Sequence, residues 1–188
     1  MTSRRGDRRW AARAVVAILM MLAAAMASPA QTFTMLHSFD YTQGVNPPQG
    51  LVQGTDGNLY GAAELGGASL ACPGGCGTIF KINPGGELST LHSFDGTDGY
   101  EPWGGLIQLS DGSFSGTTYA GGAYGYGTVF KITPGGVLTT LYSFCSLGGC
   151  ADGQAPYSGM TQGTDGNLYG TTFLGGANGY GTVFKISR

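Results

Sequence analysis

The sequence predicts an all-β, β-propeller-like protein of three tandem units, each with four antiparallel strands. The first observation is self-similarity, because three marker strings return at offsets of 50 to 55 residues. The markers are LHSF at 36–39, TDGNLYG at 55–61 and GTIFKI at 77–82, with counterparts beginning at 91 and 141, 110 and 164, and 127 and 181. The second observation is composition: 36 glycines stand among the Thr, Tyr, Phe and Val residues typical of strands and tight turns, without long helical periodicity.

Four short strands are predicted in each unit, and the first copy gives their bounds. They are strand a, Gly50 to Gln53; strand b, Asn58 to Ala62; strand c, Thr78 to Ile82; and strand d, Leu88 to Phe94. Asp56-Gly57 joins a to b and Pro84-Gly85-Gly86 joins c to d, and both are turn sequences because Gly and Asp tolerate positive φ. A tandem meander of this kind is typical of propeller blades. A β-trefoil is the alternative, and the short, regular turns favour the propeller.

The two ends of the chain are out of phase with the repeat. It begins with a strand d, Phe33 to Phe39, and stops after a strand c, Thr182 to Ile186. We therefore expect one three-repeat domain over residues 31–188, with repeats at 40–94, 95–144 and 145–188 and with strand 32–39 completing the last blade. Propellers typically have 4–8 blades. Closure is accordingly expected either within one chain or between the two chains of a homodimer.

Residues 1–30 are predicted to be an export signal. Five arginines, the last of them Arg13, precede an unbroken apolar stretch from Ala14 to Ala27, and cleavage is expected after Ala27 or Ala30. The apolar stretch is shorter than the roughly 20 residues of a membrane span, although an uncleaved anchor is the alternative. The sequence thus predicts a protein that is secreted, or that resides in the periplasm or cell envelope.

Charge excludes some classes of partner. After residue 30 the chain has four basic and ten acidic residues, a net charge of −6. Because such a chain cannot neutralise a run of phosphates, nucleic acid is not expected as a partner. No basic amphipathic helix is visible, so no membrane insertion is expected once the signal has been removed. We also expect no cofactor.

The motifs identify the chain as similar to a known family. The strings GTVFKITPGG at 127–136, QGTDGNLYGTT at 162–172 and the LTTLHSFD-like string at 88–95 resemble the GloVer tandem-repeat proteins, secreted bacterial chains with a propeller architecture. The resemblance extends from about Thr32 to the C-terminus. It implies a propeller and export, but the family offers no established activity or catalytic residues to transfer.

The polar residues that recur do not form a catalytic pattern. His37 and His92 occupy one repeat position on strand d, and the serine beside each points to the opposite face of the strand, so we expect packing between blades. The aspartates of the a–b turns recur as well, where Asp serves backbone conformation: Asp56, Asp111 and Asp165. No catalytic residue and no metal site are predicted.

Four cysteines are expected to form two disulfides within loops. They occur as Cys72-x-x-x-Cys76 and Cys145-x-x-x-x-Cys150, and neither pair has a counterpart in the other repeats. An even count in an exported chain favours disulfides. Zinc is the alternative, although this spacing without a nearby histidine is a weak ligand pattern.

One face of the blades is expected to meet a ligand. Alternating strand directions place the short a–b and c–d turns on one face, the turn face, and the long b–c and d–a loops on the other, the loop face. Aromatic residues concentrate in these variable loops, where function is commonly found. The candidate ligand-binding residues are Trp103 and Tyr157 as anchors, with Tyr100, Glu101, Tyr124, Tyr126 and Tyr180.

Two functions fit this sequence. The first is a non-catalytic binding or scaffolding module of the cell envelope or exterior, with a carbohydrate or peptide ligand on the loop face. The second is an extracellular propeller enzyme that acts on a polysaccharide or lactone. An enzyme of this kind needs convergent carboxylates, so the test is whether Asp95, Asp98 and Glu101 meet in a pocket. The absence of repeated carboxylate pairs favours the binding module.

Overall fold

The computed structural model describes residues 31–187. Its contacts divide the chain into two units, Met1–Met35 and Leu36–Arg188. Residues 31–35, the described part of the first unit, carry no helix or strand. The predicted export signal, residues 1–30, lies outside the described residues. Among residues 31–187, no helix is long and apolar enough to span a bilayer.

The second unit consists of three antiparallel sheets in tandem, which confirms the all-β, propeller-like prediction. Each sheet follows chain order and is called a blade here. Blade 1 comprises β1 Val52–Gln53, β2 Leu59–Ala63, β3 Thr78–Ile82 and β4 Leu88–Ser93. Blade 2 comprises β5 Ile107–Gln108, β6 Phe114–Thr118, β7 Thr128–Ile132 and β8 Leu138–Ser143. Blade 3 comprises β9 Thr161–Gln162, β10 Leu168–Thr172 and β11 Thr182–Ile186, and a 3₁₀ helix, Gly148–Cys150, precedes it.

The turn chemistry explains why the strands pair in one register. In the a–b turn of blade 1, Gly57 has a φ of 82°, and its N–H donates to the Gly54 carbonyl at 3.0 Å. The Asp56 carboxylate accepts the Asn58 N–H at 3.1 Å, and Asp111 and Asp165 accept equivalent bonds in the other blades. The predicted backbone role of these aspartates is therefore confirmed.

The core lies between blades rather than within them. One cluster joins Ile79 of blade 1 to Leu106 and Phe114 of blade 2. A second joins Val129 of blade 2 to Met160 and Leu168 of blade 3. Because alternate side chains of a strand point to opposite sides of the sheet, blade 2 buries one set of side chains against blade 1 and the other set against blade 3. We call these two contacts the internal junctions.

Blade 3 has three strands in this chain. Residues 31–40 carry no strand assignment, so nothing among the described residues pairs with the outer edge of β11. Phe39 instead packs its ring on Phe80 of blade 1, with centroids 5.0 Å apart. That strand 32–39 completes the last blade stays a prediction, because it concerns a pairing with β11 that this single chain does not contain.

Candidate functional site

Four aromatic rings meet on the loop face, and we call them the aromatic cluster: Trp103, Tyr119, Tyr157 and Phe173. The indole of Trp103 stacks on Tyr119 with centroids 4.6 Å apart and meets Tyr157 edge-on at 4.6 Å. Tyr157 also lies 6.2 Å from Phe173. Spacings of this size are those of interacting aromatic rings. The structure therefore brings the two predicted anchors, Trp103 and Tyr157, into direct contact.

Local backbone geometry places the two rings of each blade side by side. In blade 2, Glu101 has a φ of 54°, and its carbonyl accepts the N–H groups of Trp103 at 2.9 Å and Tyr119 at 2.8 Å. In blade 3, Ala155 has the same φ of 54°, and its carbonyl accepts the Phe173 N–H at 3.0 Å. Hydrogen bonds thus join the segment before strand a to the residue that follows strand b. One aromatic position lies in each of these two segments.

The cluster is specific to blades 2 and 3. In blade 1 the two corresponding positions hold Pro48 and Glu64, which have no aromatic ring. The positive-φ residue and its hydrogen bond to the end of strand b are therefore present in all three blades, but the aromatic rings are present in only two. The aromatic side chains are therefore a feature of blades 2 and 3 and not a general requirement of the repeat.

Exposure divides the cluster into an outer and an inner pair. Tyr157 is 52% and Phe173 63% exposed, whereas Trp103 and Tyr119 are half-buried. The Nε1 atom of Trp103 is buried and has no hydrogen-bond partner among the described residues. An unpaired buried donor costs roughly 1–3 kcal/mol. The exposed hydroxyls of Ser158 and Thr171, near Tyr157 and Phe173 in sequence, are 3.0 Å apart.

The remaining candidate residues lie elsewhere. Burial, with a hydrogen bond to Glu101, raises the pKa of Tyr100 to about 12, and this ring packs against the core cluster between blades 1 and 2. Tyr124, Tyr126 and Tyr180 are 53%, 48% and 91% exposed. Among the described residues, none of these four tyrosines has a ring contact with the aromatic cluster. The site that the structure assembles is thus smaller than the set of candidates.

The carboxylates of the d–a loops are used as hydrogen-bond acceptors. Asp95 accepts the backbone N–H and the hydroxyl of Thr97 at 2.8 and 2.6 Å, and the Thr97 side chain is the main cause of its lowered pKa. Asp98 accepts the Asp95 N–H at 3.0 Å. Within residues 31–187, no group of three or more His, Cys, Asp or Glu side chains is placed to hold a metal ion.

A second recurrent arrangement joins strand d to the loop that follows it. The His37 Nε2 atom lies 2.8 Å from Gln43 Oε1, and His92 Nε2 lies 2.6 Å from an oxygen of Asp98. In the third copy, the Tyr142 hydroxyl donates to Asp152 at 2.7 Å.

Each ring of this arrangement also packs edge-on against the phenylalanine two residues later. The ring contacts of the histidines are thus within their own segment and not between blades, as had been expected, and the histidines also hold the following loop by a hydrogen bond. Sequence reasoning missed this partner, although its signal was present. The residue before the Gly that closes the loop is always an acceptor: Gln43, Asp98 and Asp152.

The cysteines form the two predicted disulfides. Cys72 is bonded to Cys76 and Cys145 to Cys150, and no cysteine of the described residues is free. Cys76 is fully buried in the core cluster between blades 1 and 2. Two bonds of this kind are compatible with an extracellular or periplasmic protein.

Three tandem antiparallel sheets that pack through two internal junctions define a propeller-like repeat module. The chain belongs to the Gloeobacter/Verrucomicrobia repeat family, whose model matches residues 24–188. No functionally curated protein matches the sequence significantly.

Solved structures with a similar chain trace are longer than this one. One is described as a “putative gluconolactonase”; its TM-score is 0.48 at 15% identity, and the match covers 86% of this chain and 55% of that one. Another is a protein of unknown function from Dyadobacter fermentans, with a TM-score of 0.42 at 13% identity, covering 78% of this chain and 52% of that one. The chain thus spans about half the length of the structures it matches.

Proposed function

We propose that this repeat module is exported and binds a carbohydrate on its loop face, with the aromatic cluster as the binding platform. The observation that supports the proposal is the continuous surface of Trp103, Tyr119, Tyr157 and Phe173, with the outer two rings half or more exposed. Exposed apolar surfaces of this kind commonly mark interaction sites. Aromatic residues also supply much of the binding energy in many interfaces.

A sugar suits this platform better than an apolar peptide. A sugar ring has an apolar C–H face that covers an aromatic ring and a rim of hydroxyls that need hydrogen-bond partners. Ser158 directly follows Tyr157 and Thr171 lies two residues before Phe173, and their exposed hydroxyls are 3.0 Å apart. The buried Trp103 Nε1–H, which has no partner among the described residues, is a further hydrogen-bond donor within the cluster. A peptide ligand is the other outcome that the experiment distinguishes.

The enzyme alternative finds less support from the geometry. The aromatic cluster is an open surface, and three cavities found among the described residues are lined by other residues. Asp95 and Asp98 act as turn acceptors, and Glu101 interacts with Tyr100. Hydrogen bonds lower the pKa of Asp95, whereas a general acid needs a raised one. We therefore propose binding without catalysis.

The experiment compares binding of the exported protein to a glycan array and to a peptide array. Trp103→Ala and Tyr157→Ala are each expected to weaken glycan binding about 10- to 100-fold, because each removes an anchor of the platform. Tyr124→Ala is the matched control, since Tyr124 is 53% exposed against 52% for Tyr157 but lies outside the cluster.

Two results would contradict the proposal. One is binding that survives both cluster substitutions and is lost with Tyr124→Ala, which would move the site to another part of the loop face. The other is binding to peptides alone, which would reject the carbohydrate as ligand. Thermal unfolding of each variant distinguishes a lost site from a lost fold.

A further inference from the structure

One side of the third blade is exposed although the same side is buried in the other two. The middle strands carry an aliphatic residue at equivalent positions: Ile79, Val129 and Val183. Ile79 and Val129 are 0% exposed because the next blade covers them, whereas Val183 is 81% exposed. We call this side of blade 3 the tail face.

The opposite side of the first blade is exposed in the complementary way. Before strand a, blades 2 and 3 carry Leu106 and Met160, which are 8% and 6% exposed because the preceding blade covers them. Their equivalent in blade 1 is Leu51, which is 49% exposed. We call this side of blade 1 the head face. An internal junction is a tail side against a head side, so the chain presents both halves of one further junction.

Polar contacts of the internal junctions recur in sequence, and the end faces retain the same groups. At the first junction, the Gln108 side chain accepts the Thr55 N–H at 3.1 Å, and at the second, Gln162 accepts the Ser110 N–H at 3.2 Å. The head face keeps the equivalent glutamine, Gln53, and the tail face keeps the equivalent threonine, Thr164. The two can form the same bond only across a third junction.

Backbone contacts show the same correspondence. The Glu101 N–H donates to the Cys76 carbonyl at 3.3 Å across the first junction, and the Ala155 N–H donates to the Tyr126 carbonyl at 2.9 Å across the second. The equivalent groups are the N–H of Asn46 on the head face and the carbonyl of Tyr180 on the tail face.

A proline packs over a glycine at both junctions. Pro102 lies over Gly77, and Pro156 lies over Gly127, so closely that a Cβ at either glycine would clash with the proline ring. Pro47 on the head face and Gly181 on the tail face are the corresponding residues.

Two cavities lie at these end faces. One, of about 350 Å³, follows the unpaired edge of β11, Thr182–Ile186, and is bordered by Phe144 and Asp152. The other, of about 250 Å³, lies on the head face between Leu51, Phe39 and Phe80. Each is therefore found where a neighbouring blade would pack.

We propose that the head face of one copy of this chain binds the tail face of a second copy, and that two such junctions close a six-bladed ring. Six blades lie within the usual range for propellers. A head-to-tail contact is heterologous, and such contacts generate rings when the rotation closes. Closure would also cover the free edge of β11. Exposed strand edges promote uncontrolled association, so covering this edge removes an aggregation hazard.

The proposed six-bladed ring also explains the position of residues 36–39. Phe94 follows strand d of blade 1 and packs on Phe130 of blade 2, and Phe39 packs on Phe80 of blade 1 in the same manner, at 5.4 and 5.0 Å. Phe39 therefore occupies the position of a strand d from a preceding blade. Transferring the β3–β4 register, in which Ile79 pairs with His92, predicts that Val183 of one copy pairs with His37 of the other.

The experiment measures the mass of the exported protein by native mass spectrometry and light scattering. The unaltered protein is expected to be a dimer. Leu51→Asp on the head face and Val183→Asp on the tail face are each expected to weaken dimerisation about a hundredfold or more, because each introduces an unpaired charge into both junctions. Val137→Asp is the matched control: Val137 is 67% exposed, but it lies in a c–d turn outside both faces.

Mixing the two end-face variants tests the direction of the contact. The tail of the Leu51→Asp chain and the head of the Val183→Asp chain are both intact, so a one-to-one heterodimer is expected at concentrations where neither variant associates alone. A monodisperse monomer of the unaltered protein overturns the proposal. Dissociation by only one of the two substitutions also overturns it, because a contact between like faces would respond in that way. Both substituted side chains are exposed in the single chain, so both variants are expected to fold.

Discussion

Val129 and Val183 are the same residue at the same position of successive repeats, yet Val129 is fully buried and Val183 is 81% exposed. Their strands have the same sequence, TVFKI, and the same pairing with strand b. Val129 is covered by blade 3 and its strand is paired with β8, whereas among the described residues Val183 has neither a following blade nor a fourth strand beside it. In this repeat protein, burial is therefore a property of the junction between blades, and each blade depends on its neighbours for a core.

The largest effect is expected where a junction is closed. Val129→Ala should lower the free energy of unfolding by about 2–3 kcal/mol, since two buried methyl groups are lost at about 0.8 kcal/mol each and a cavity remains. Val183→Ala should cost much less in dilute protein. Denaturant unfolding over a range of protein concentrations measures both.

Concentration makes this test sharper. If the head-to-tail ring forms, the cost of Val183→Ala should grow with protein concentration, because association stabilises only the folded chain. The difference in unfolding free energy between the Val129→Ala variant and the unaltered protein should not change with protein concentration. Equal effects of the two substitutions in dilute protein would contradict the view that junctions determine stability.

The two disulfides allow a second comparison of the same kind. Cys72–Cys76 borders the closed first junction, where the Cys76 carbonyl accepts a hydrogen bond from Glu101. Cys145–Cys150 lies in the loop that leads to blade 3, and the Cys150 carbonyl accepts the N–H of Gly176 of that repeat. Loop closure of this length is worth roughly 2 kcal/mol in the chain-entropy model.

Replacing Cys72 and Cys76 together by alanine should therefore cost about 2 kcal/mol or more. The same change at Cys145 and Cys150 should cost about 2 kcal/mol or less. Thermal unfolding of the two double variants, with free-thiol titration to verify the remaining bond, measures the difference. A larger loss for the second pair would contradict the comparison.

Much of the fold was predictable because turn chemistry repeats in the sequence. The Asp-Gly and Pro-Gly-Gly turns located strands b and c to within one residue, and the spacing of the cysteines predicted both disulfides. Strand a was predicted from Gly50 to Gln53, but the ladder begins at Val52. The residues before it instead include the positive-φ position, Asn46 in blade 1, whose carbonyl accepts the N–H of Glu64 after strand b.

The site was predictable only in part, and the reason is geometric. Trp103 and Tyr157 stood out because they follow equivalent prolines, but their contact joins residues 54 positions apart. Tyr119 and Phe173 were visible as loop aromatics. Nothing in their spacing shows that the carbonyl of Glu101 or Ala155 holds them beside the anchors. Contacts across a junction depend on how blades pack, which a repeat pattern alone does not specify.

The smallest expected effect concerns the loop acceptor that differs between blades. Burial raises the pKa of Asp152, but bonds from Tyr142, Ser146 and the backbone outweigh it and hold the pKa at about 2. Stability from this carboxylate is therefore present above its ordinary pKa of 3.8 and is lost as the pH falls towards 2. Blade 1 has the uncharged Gln43 at this position, and it accepts the equivalent bond from His37.

Asp152→Gln should consequently reduce the acid sensitivity of unfolding between pH 4 and 2 by an amount below about 1 kcal/mol. Glu87→Gln in an exposed turn is the charge-matched control. Denaturant unfolding at a series of pH values measures the slope, and an unchanged slope for Asp152→Gln would show that this loop does not contribute to acid unfolding.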